Sequence, residues 1–197
     1  MATSSFKTLA THRPSARVSV QKPDAHKSVT PHSPALDVMT DFSLLHSVTI
    51  TPDAKLFTAN ETMLARGVRL LLVVDDNQQL LGVVSTRDTL GERPMQLLHQ
   101  GKGNMFELTV GDLMHSIGQI DMLDLTDVRH ANVGDIVATL KKLGQQHVLV
   151  ASRDAGTGQQ RVCGVFSATQ IGRQLGVEVQ TFEVARTFAQ IEAALAG

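Results

Sequence analysis

Two stretches of the chain end an apolar run at a serine and place a second polar residue three positions later. The first, LLGVVSTRDTL at 80–90, carries Ser85 and Asp88. A carboxylate can accept both hydroxyls of a ribose cis-diol, and a hydroxyl with free amides at a helix start suits a phosphate or ribose oxygen. The same pair can instead cap the helix, because both groups stabilise its first turn. The spacing leaves a nucleoside site and a plain helix cap as two interpretations.

The second stretch, VCGVFSATQI at 162–171, has Ser167 and Gln170 at the corresponding positions. A neutral amide donates and accepts hydrogen bonds, but it cannot hold a diol as a charged acceptor. We therefore expect this second position to bind a nucleotide more weakly, to bind something else, or to be empty.

The spacing of apolar residues before and within the first stretch predicts the helices and strands around it. The segment TPDAKLFTANETMLARG predicts a helix that ends at Gly67. Four apolar residues form its buried face: Leu56, Ala59, Met63 and Leu64. The run VRLLLVVDD indicates a buried strand, NQQ a turn, and LLGVVS the hairpin partner of that strand. A further helix begins after Ser85, which brings the polar pair to the end of a hairpin.

The same order of elements recurs in the second half of the chain. DVMT at 37–40 corresponds to DLMH at 112–115, LARG before a strand to KKLG at 141–144, and GVVSTRD to GVFSATQ at 164–170. The second hairpin loop is the longer one. The chain therefore contains an internal duplication of a β-α-β-β-α unit.

Five segments result from this organisation. They are an extended or flexible arm at 1–33, a first unit at 34–100, a linker at 101–105, a second unit at 106–176 and a C-terminal helix at 177–197. The arm mixes Pro, Ser, Lys and His without periodicity. The apolar stripe of the C-terminal helix either packs on its own module or forms a dimer or partner interface.

The ordered set of these stretches, present twice, resembles a tandem pair of CBS domains, also called a Bateman module. The resemblance implies an α/β (α+β) fold in which two β-α-β-β-α units pack with pseudo-two-fold symmetry around two clefts. It implies AMP, ADP, ATP or S-adenosylmethionine as a regulatory ligand, no required cofactor, and pairing of modules into a homodimer.

The resemblance also assigns residues to the two clefts. In the first, an apolar slot would hold adenine, Ser85 and Asp88 would meet ribose and phosphate, and two arginines could neutralise a phosphate. The first set comprises Val48, Thr49, Ile50, Arg69, Leu70, Leu71, Ser85, Arg87 and Asp88, and the weaker second set His147, Ser167 and Gln170. For His147, a partly buried histidine bonded to backbone is the alternative.

Composition argues against several other functions. The chain has 197 residues, no Trp, no Tyr and seven Phe, which disfavours aromatic platforms for single-stranded nucleic acid. Net charge is −1, and the basic arm leaves the remainder acidic, which disfavours nucleic-acid binding. No apolar run approaches the roughly 20 residues that span a bilayer, and we expect a cytoplasmic protein.

No catalytic or metal-binding group emerges from the sequence. The single cysteine, Cys163, excludes an internal disulfide, and the eight His lack metal-ligand spacing. We therefore predict a non-enzymatic sensor that signals to a separate, unidentified protein partner by a conformational or oligomeric change. The alternative is a degenerate CBS pair that serves dimerisation or protein interaction without binding a nucleotide.

Overall fold

The computed structural model describes residues 9–11, 13 and 29–176, so the predicted C-terminal helix and most of the predicted arm lie outside the described residues. The first half begins with a 3-10 turn at Ala35–Val38. Its strands are β1 (Thr40–Asp41), β2 (Thr49–Ile50), β3 (Leu70–Val74) and β4 (Leu80–Ser85), and its helices are α1 (Leu56–Arg66), α2 (Thr86–Leu90) and α3 (Arg93–His99).

The second half repeats this order. Its strands are β5 (His115–Ser116), β6 (Met122–Asp124), β7 (His147–Arg153) and β8 (Gln160–Ser167). Its helices are α4 (Val110–Leu113), α5 (Leu125–Val128), α6 (Val133–Leu143) and α7 (Ala168–Gln174), with a 3-10 turn at Ile117–Gln119. The mixed α+β fold and its duplication are confirmed.

Two four-stranded sheets form the frame, in the orders β2-β3-β4-β5 and β1-β8-β7-β6. Each contains a hairpin, β3–β4 or β7–β8, with a parallel strand, β2 or β6, beside it. Leu70 lies opposite Ser85 in the first hairpin and His147 lies opposite Ser167 in the second. The two polar stretches therefore end equivalent strands.

The leading strand of each unit completes the sheet of the other unit. Strand β1 pairs antiparallel with β8, with Thr40 opposite Val165. Strand β5 pairs antiparallel with β4, with His115 opposite Val83. This exchange brings one side chain of each unit to the hairpin of its neighbour.

Two glycines make room for the exchanged strands. A Cβ at Gly82 would overlap the backbone carbonyl oxygen of His115, and a Cβ at Gly164 would lie 2.9 Å from the carbonyl oxygen of Thr40. Each glycine thus permits a close approach between backbones that any larger residue would prevent.

Helix α1 buries the residues predicted for its core face, with one exception. Leu56, Ala59 and Met63 are buried, and Gly67 ends the helix with φ of 64°. Leu64 is 85% exposed, so its assignment to the buried face is wrong. It lies about 80° around the helix from Leu56, because each residue turns the helix by roughly 100°. The buried face of α1 is therefore narrower than the sequence indicated.

None of the helices in the described ranges is long and apolar enough to cross a membrane.

Candidate functional site

The start of helix α2 fixes the position of Asp88. Ser85 ends strand β4 in an extended conformation, and the backbone N–H of Ser85 donates to Asp88 Oδ2 at 2.8 Å. The Ser85 hydroxyl donates to the same oxygen at 2.6 Å. Asp88 is only 8% exposed. Ser85 and Asp88 thus form the helix cap that their spacing allowed.

The other carboxylate oxygen of Asp88 faces a histidine and an arginine. His115 Nε2 lies 2.9 Å from Oδ1 and Arg93 Nη1 lies 3.5 Å from it. The Arg93 and His115 nitrogens are 3.3 Å apart. His115 comes from the exchanged strand β5 and Arg93 from the first turn of α3. The buried carboxylate is therefore satisfied on both oxygens by protein groups.

A cavity of about 700 Å³ opens at this end of the sheet, between the two units. One wall belongs to β3, β4, α2 and α3, and the facing wall to the second unit near 119–121 and 144–149. Six residues proposed from the sequence line it: Arg69, Leu70, Ser85, Arg87, Asp88 and His147. The polar end of the first hairpin thus lies on this partly open cavity.

Four residues proposed for the first cleft do not line this cavity: Val48, Thr49, Ile50 and Leu71. Leu71 is fully buried in the apolar core, because successive side chains of a strand point to opposite faces and Leu70 takes the cavity side. Ile50 lies in the same core cluster, and Val48 packs against it. The structure does not bring these four residues to the cavity of Asp88.

The cavity carries charges of both signs. Arg69, Arg87 and Arg93 supply positive charge, and Asp88, Glu92 and Asp121 supply negative charge. Burial lowers the pKa of the Arg69 guanidinium from its ordinary value, and Arg173 on α7 adds to this shift. Arg69 and Arg173 therefore lie close enough for their positive charges to interact.

His147 lines the same cavity rather than a separate second one. Burial and, secondarily, the charge of nearby Arg69 lower the pKa of His147 to about 4, while Asp88 opposes the shift. The imidazole is consequently neutral at pH 7, so one ring nitrogen donates and the other accepts a hydrogen bond.

The second hairpin end repeats the arrangement without charge. The Thr40 hydroxyl donates to Gln170 Oε1 at 3.3 Å, so a residue of the exchanged strand β1 again contacts the position equivalent to Asp88. Ser167 is partly buried and precedes α7. This end offers neutral groups where the first offers a carboxylate.

Sequence reasoning missed His115 and Arg93. The repeat of DVMT as DLMH aligns Thr40 with His115, which was the available signal that both residues share a role. Among the described residues, no group of three or more His, Cys, Asp or Glu is arranged to hold a metal ion.

Comparisons with known proteins identify the class. Residues 35–93 match the CBS domain family. The structure is similar to an uncharacterized conserved protein from Pyrococcus horikoshii at 14% identity and a TM-score of 0.55, covering 78% of this chain and 99% of that one. It is also similar to the CBS domain pair of protein MJ0100 in complex with 5′-methylthioadenosine and S-adenosyl-L-methionine, at 18% identity and a TM-score of 0.51, covering 74% and 98%.

A third similar structure is CBSX2 in complex with AMP, at 25% identity and a TM-score of 0.49, covering 72% of this chain and 94% of that one. No curated protein matched the chain.

The first unit thus matches the CBS domain family over residues 35–93, and the two units together have the fold of a CBS pair. The resemblance drawn from the sequence is confirmed. CBS pairs are in general regulatory modules rather than enzymes.

Proposed function

We propose that this chain is a regulatory CBS pair that binds an adenosine-containing ligand in the cavity beside Asp88. AMP, ADP, ATP and S-adenosylmethionine are the candidates. The observation that carries the proposal is the convergence of Ser85, Arg87, Asp88 and Arg69 on one cavity of about 700 Å³. That volume is typical of small-molecule sites. The CBS pair of MJ0100 binds two adenosyl compounds within the same fold, which supports this class of ligand.

The cavity offers a partner for each part of such a ligand. Asp88 would accept the ribose hydroxyls, and the guanidinium groups of Arg69 and Arg87 would face the phosphate. Leu70 supplies an apolar surface for adenine. Neutral His147 can both donate to and accept from the adenine edge.

The output of the sensor would pass to a separate protein partner. A ligand shifts a conformational or oligomeric equilibrium only through its different affinity for the two states. We propose a homodimer as the assembly and a non-catalytic role, with the adenosyl compound as regulatory ligand rather than cofactor.

One observation favours a second candidate function. Both oxygens of Asp88 already accept hydrogen bonds from protein donors, so the site is satisfied without a ligand. A CBS pair that binds no nucleotide would then act through its dimer and partner contacts.

Thermal unfolding with AMP, ADP, ATP, S-adenosylmethionine and NADH separates the two candidates. A ligand at about 100 times its Kd adds roughly 2.7 kcal/mol, which raises Tm by several degrees. We expect Asp88→Asn to abolish this shift, because the amide keeps the shape and removes the charge.

Asp112→Asn is the matched control. Asp112 caps α4 as Asp88 caps α2, accepting from the backbone N–H and the hydroxyl of Thr109, each at 2.9 Å, and it does not line the cavity. This variant should keep the ligand shift. An absence of any shift with all five compounds in the wild type would favour the interaction module.

A further inference from the structure

We propose that His115 competes with the ribose diol for Asp88, so that filling the cavity requires the exchanged strand β5 to release its histidine. This inference rests on the proposed function and adds a residue that controls it.

The hydrogen-bonding capacity of Asp88 sets up the competition. A carboxylate has about four acceptor positions. Ser85 uses two through its backbone N–H and its hydroxyl, while His115 and Arg93 face the other oxygen. A diol brings two more donors, so two of these four protein groups must leave.

His115 and Arg93 can both leave more readily than Ser85. The Ser85 bonds belong to the helix cap and span three residues, so breaking them also opens the first turn of α2. The His115 side chain is 48% exposed and can turn toward solvent, where water replaces the carboxylate as its partner. Arg93, at 3.5 Å, is held less closely and leaves the Asp88 oxygen at smaller cost.

Release of His115 would be transmitted to the second unit. Strand β5 is attached to β4 through two paired residues only, Ser116 opposite Gly82 and His115 opposite Val83. Directly after it, Gln119, Ile120 and Asp121 form part of the facing cavity wall. Ligand binding and the His115–Asp88 contact are therefore linked reciprocally, and each weakens the other.

Isothermal titration of the full chain with the same five compounds tests this competition. We expect His115→Ala to lower Kd by about tenfold, because the diol no longer displaces a hydrogen bond to a charged group. His115→Gln keeps a side-chain N–H donor and should bind with a Kd close to that of the wild type. Thr40→Ala removes the equivalent contact at the second hairpin and should leave Kd unchanged.

The outcomes separate this inference from the proposed function. Tighter binding in His115→Ala, or binding in that variant alone, supports both. Binding in the wild type with equal or weaker binding in His115→Ala overturns the competition and leaves the proposed function standing. No binding in any variant overturns the proposed function and the competition with it. An imidazole NMR signal of His115 that stays unchanged on saturation with a bound compound would also contradict the release.

Discussion

The two hairpin ends of this protein, which has the fold of a CBS pair, share one backbone arrangement and differ in charge. At the first, His115 from an exchanged strand contacts the buried carboxylate of Asp88 at 2.9 Å. At the second, Thr40 from the equivalent strand contacts the exposed amide of Gln170 at 3.3 Å. The duplicated frame is thus retained, and the divergence lies in the side chains that face each cleft.

The difference has an energetic basis. A buried carboxylate is costly unless it is hydrogen-bonded, which explains why Asp88 collects donors from three elements. An exposed amide has no such requirement, since water can satisfy it. The first hairpin end is therefore built around a charge and the second is not.

The largest expected difference between the halves lies in their cores. Phe166 on β8 and Val84 on β4 occupy equivalent positions and are both fully buried. Phe166→Ala should lower the free energy of unfolding by about 3–5 kcal/mol, and Val84→Ala by about 2 kcal/mol, because the larger side chain leaves the larger cavity. Chemical denaturation measures both, and equal losses would contradict the expectation that the larger side chain at this position contributes more to stability.

The pH dependence of stability should also distinguish the halves. His147 occupies the position equivalent to Leu70, and its pKa is lowered to about 4. The unfolded chain therefore binds this proton first as pH falls below about 6.5, so stability is lost on acidification. We expect a loss on the order of 1–2 kcal/mol between pH 7 and pH 5 from this residue. His147→Leu should remove that part of the slope in urea unfolding at the two pH values, whereas an unchanged slope would show that His147 titrates normally.

The capping residues should differ by a smaller amount. Asp88→Ala removes the carboxylate that accepts the Ser85 N–H and that faces His115 and Arg93. We expect it to lower the free energy of unfolding by about 1–2 kcal/mol. Gln170→Ala removes one exposed contact and should change the free energy of unfolding by less than about 0.5 kcal/mol. Similar costs for the two variants in urea unfolding would mean that the second hairpin end depends on Gln170 as much as the first depends on Asp88.

Much of this comparison was predictable from local sequence. The Ser85–Asp88 spacing predicted the start of α2, Gly67 predicted the end of α1, and the repeated order of elements predicted the duplication. These features depend on residues close together in the chain, where capping, turn and alternation rules apply.

The exchanged strands could not be predicted in this way. Each has two residues, too few for an alternating pattern. Each pairs with a strand of the other unit, more than 30 residues away in sequence for β5 and more than 120 for β1. His115 consequently reaches Asp88 through tertiary structure alone, whereas Arg93 lies only five residues after Asp88, at the start of α3. Leu71 was misjudged as a cavity residue for a related reason, since only the sheet decides which face of β3 meets the cavity.

The stoichiometry of ligand binding tests the central claim most directly. Equilibrium dialysis would use labelled AMP, ATP and S-adenosylmethionine with the wild type, Asp88→Asn and Asp112→Asn. The account predicts that one of these compounds binds at one site per chain, that Asp88→Asn abolishes this binding, and that Asp112→Asn preserves it. Binding that survives in Asp88→Asn, or no binding of any of the three compounds, would contradict the account.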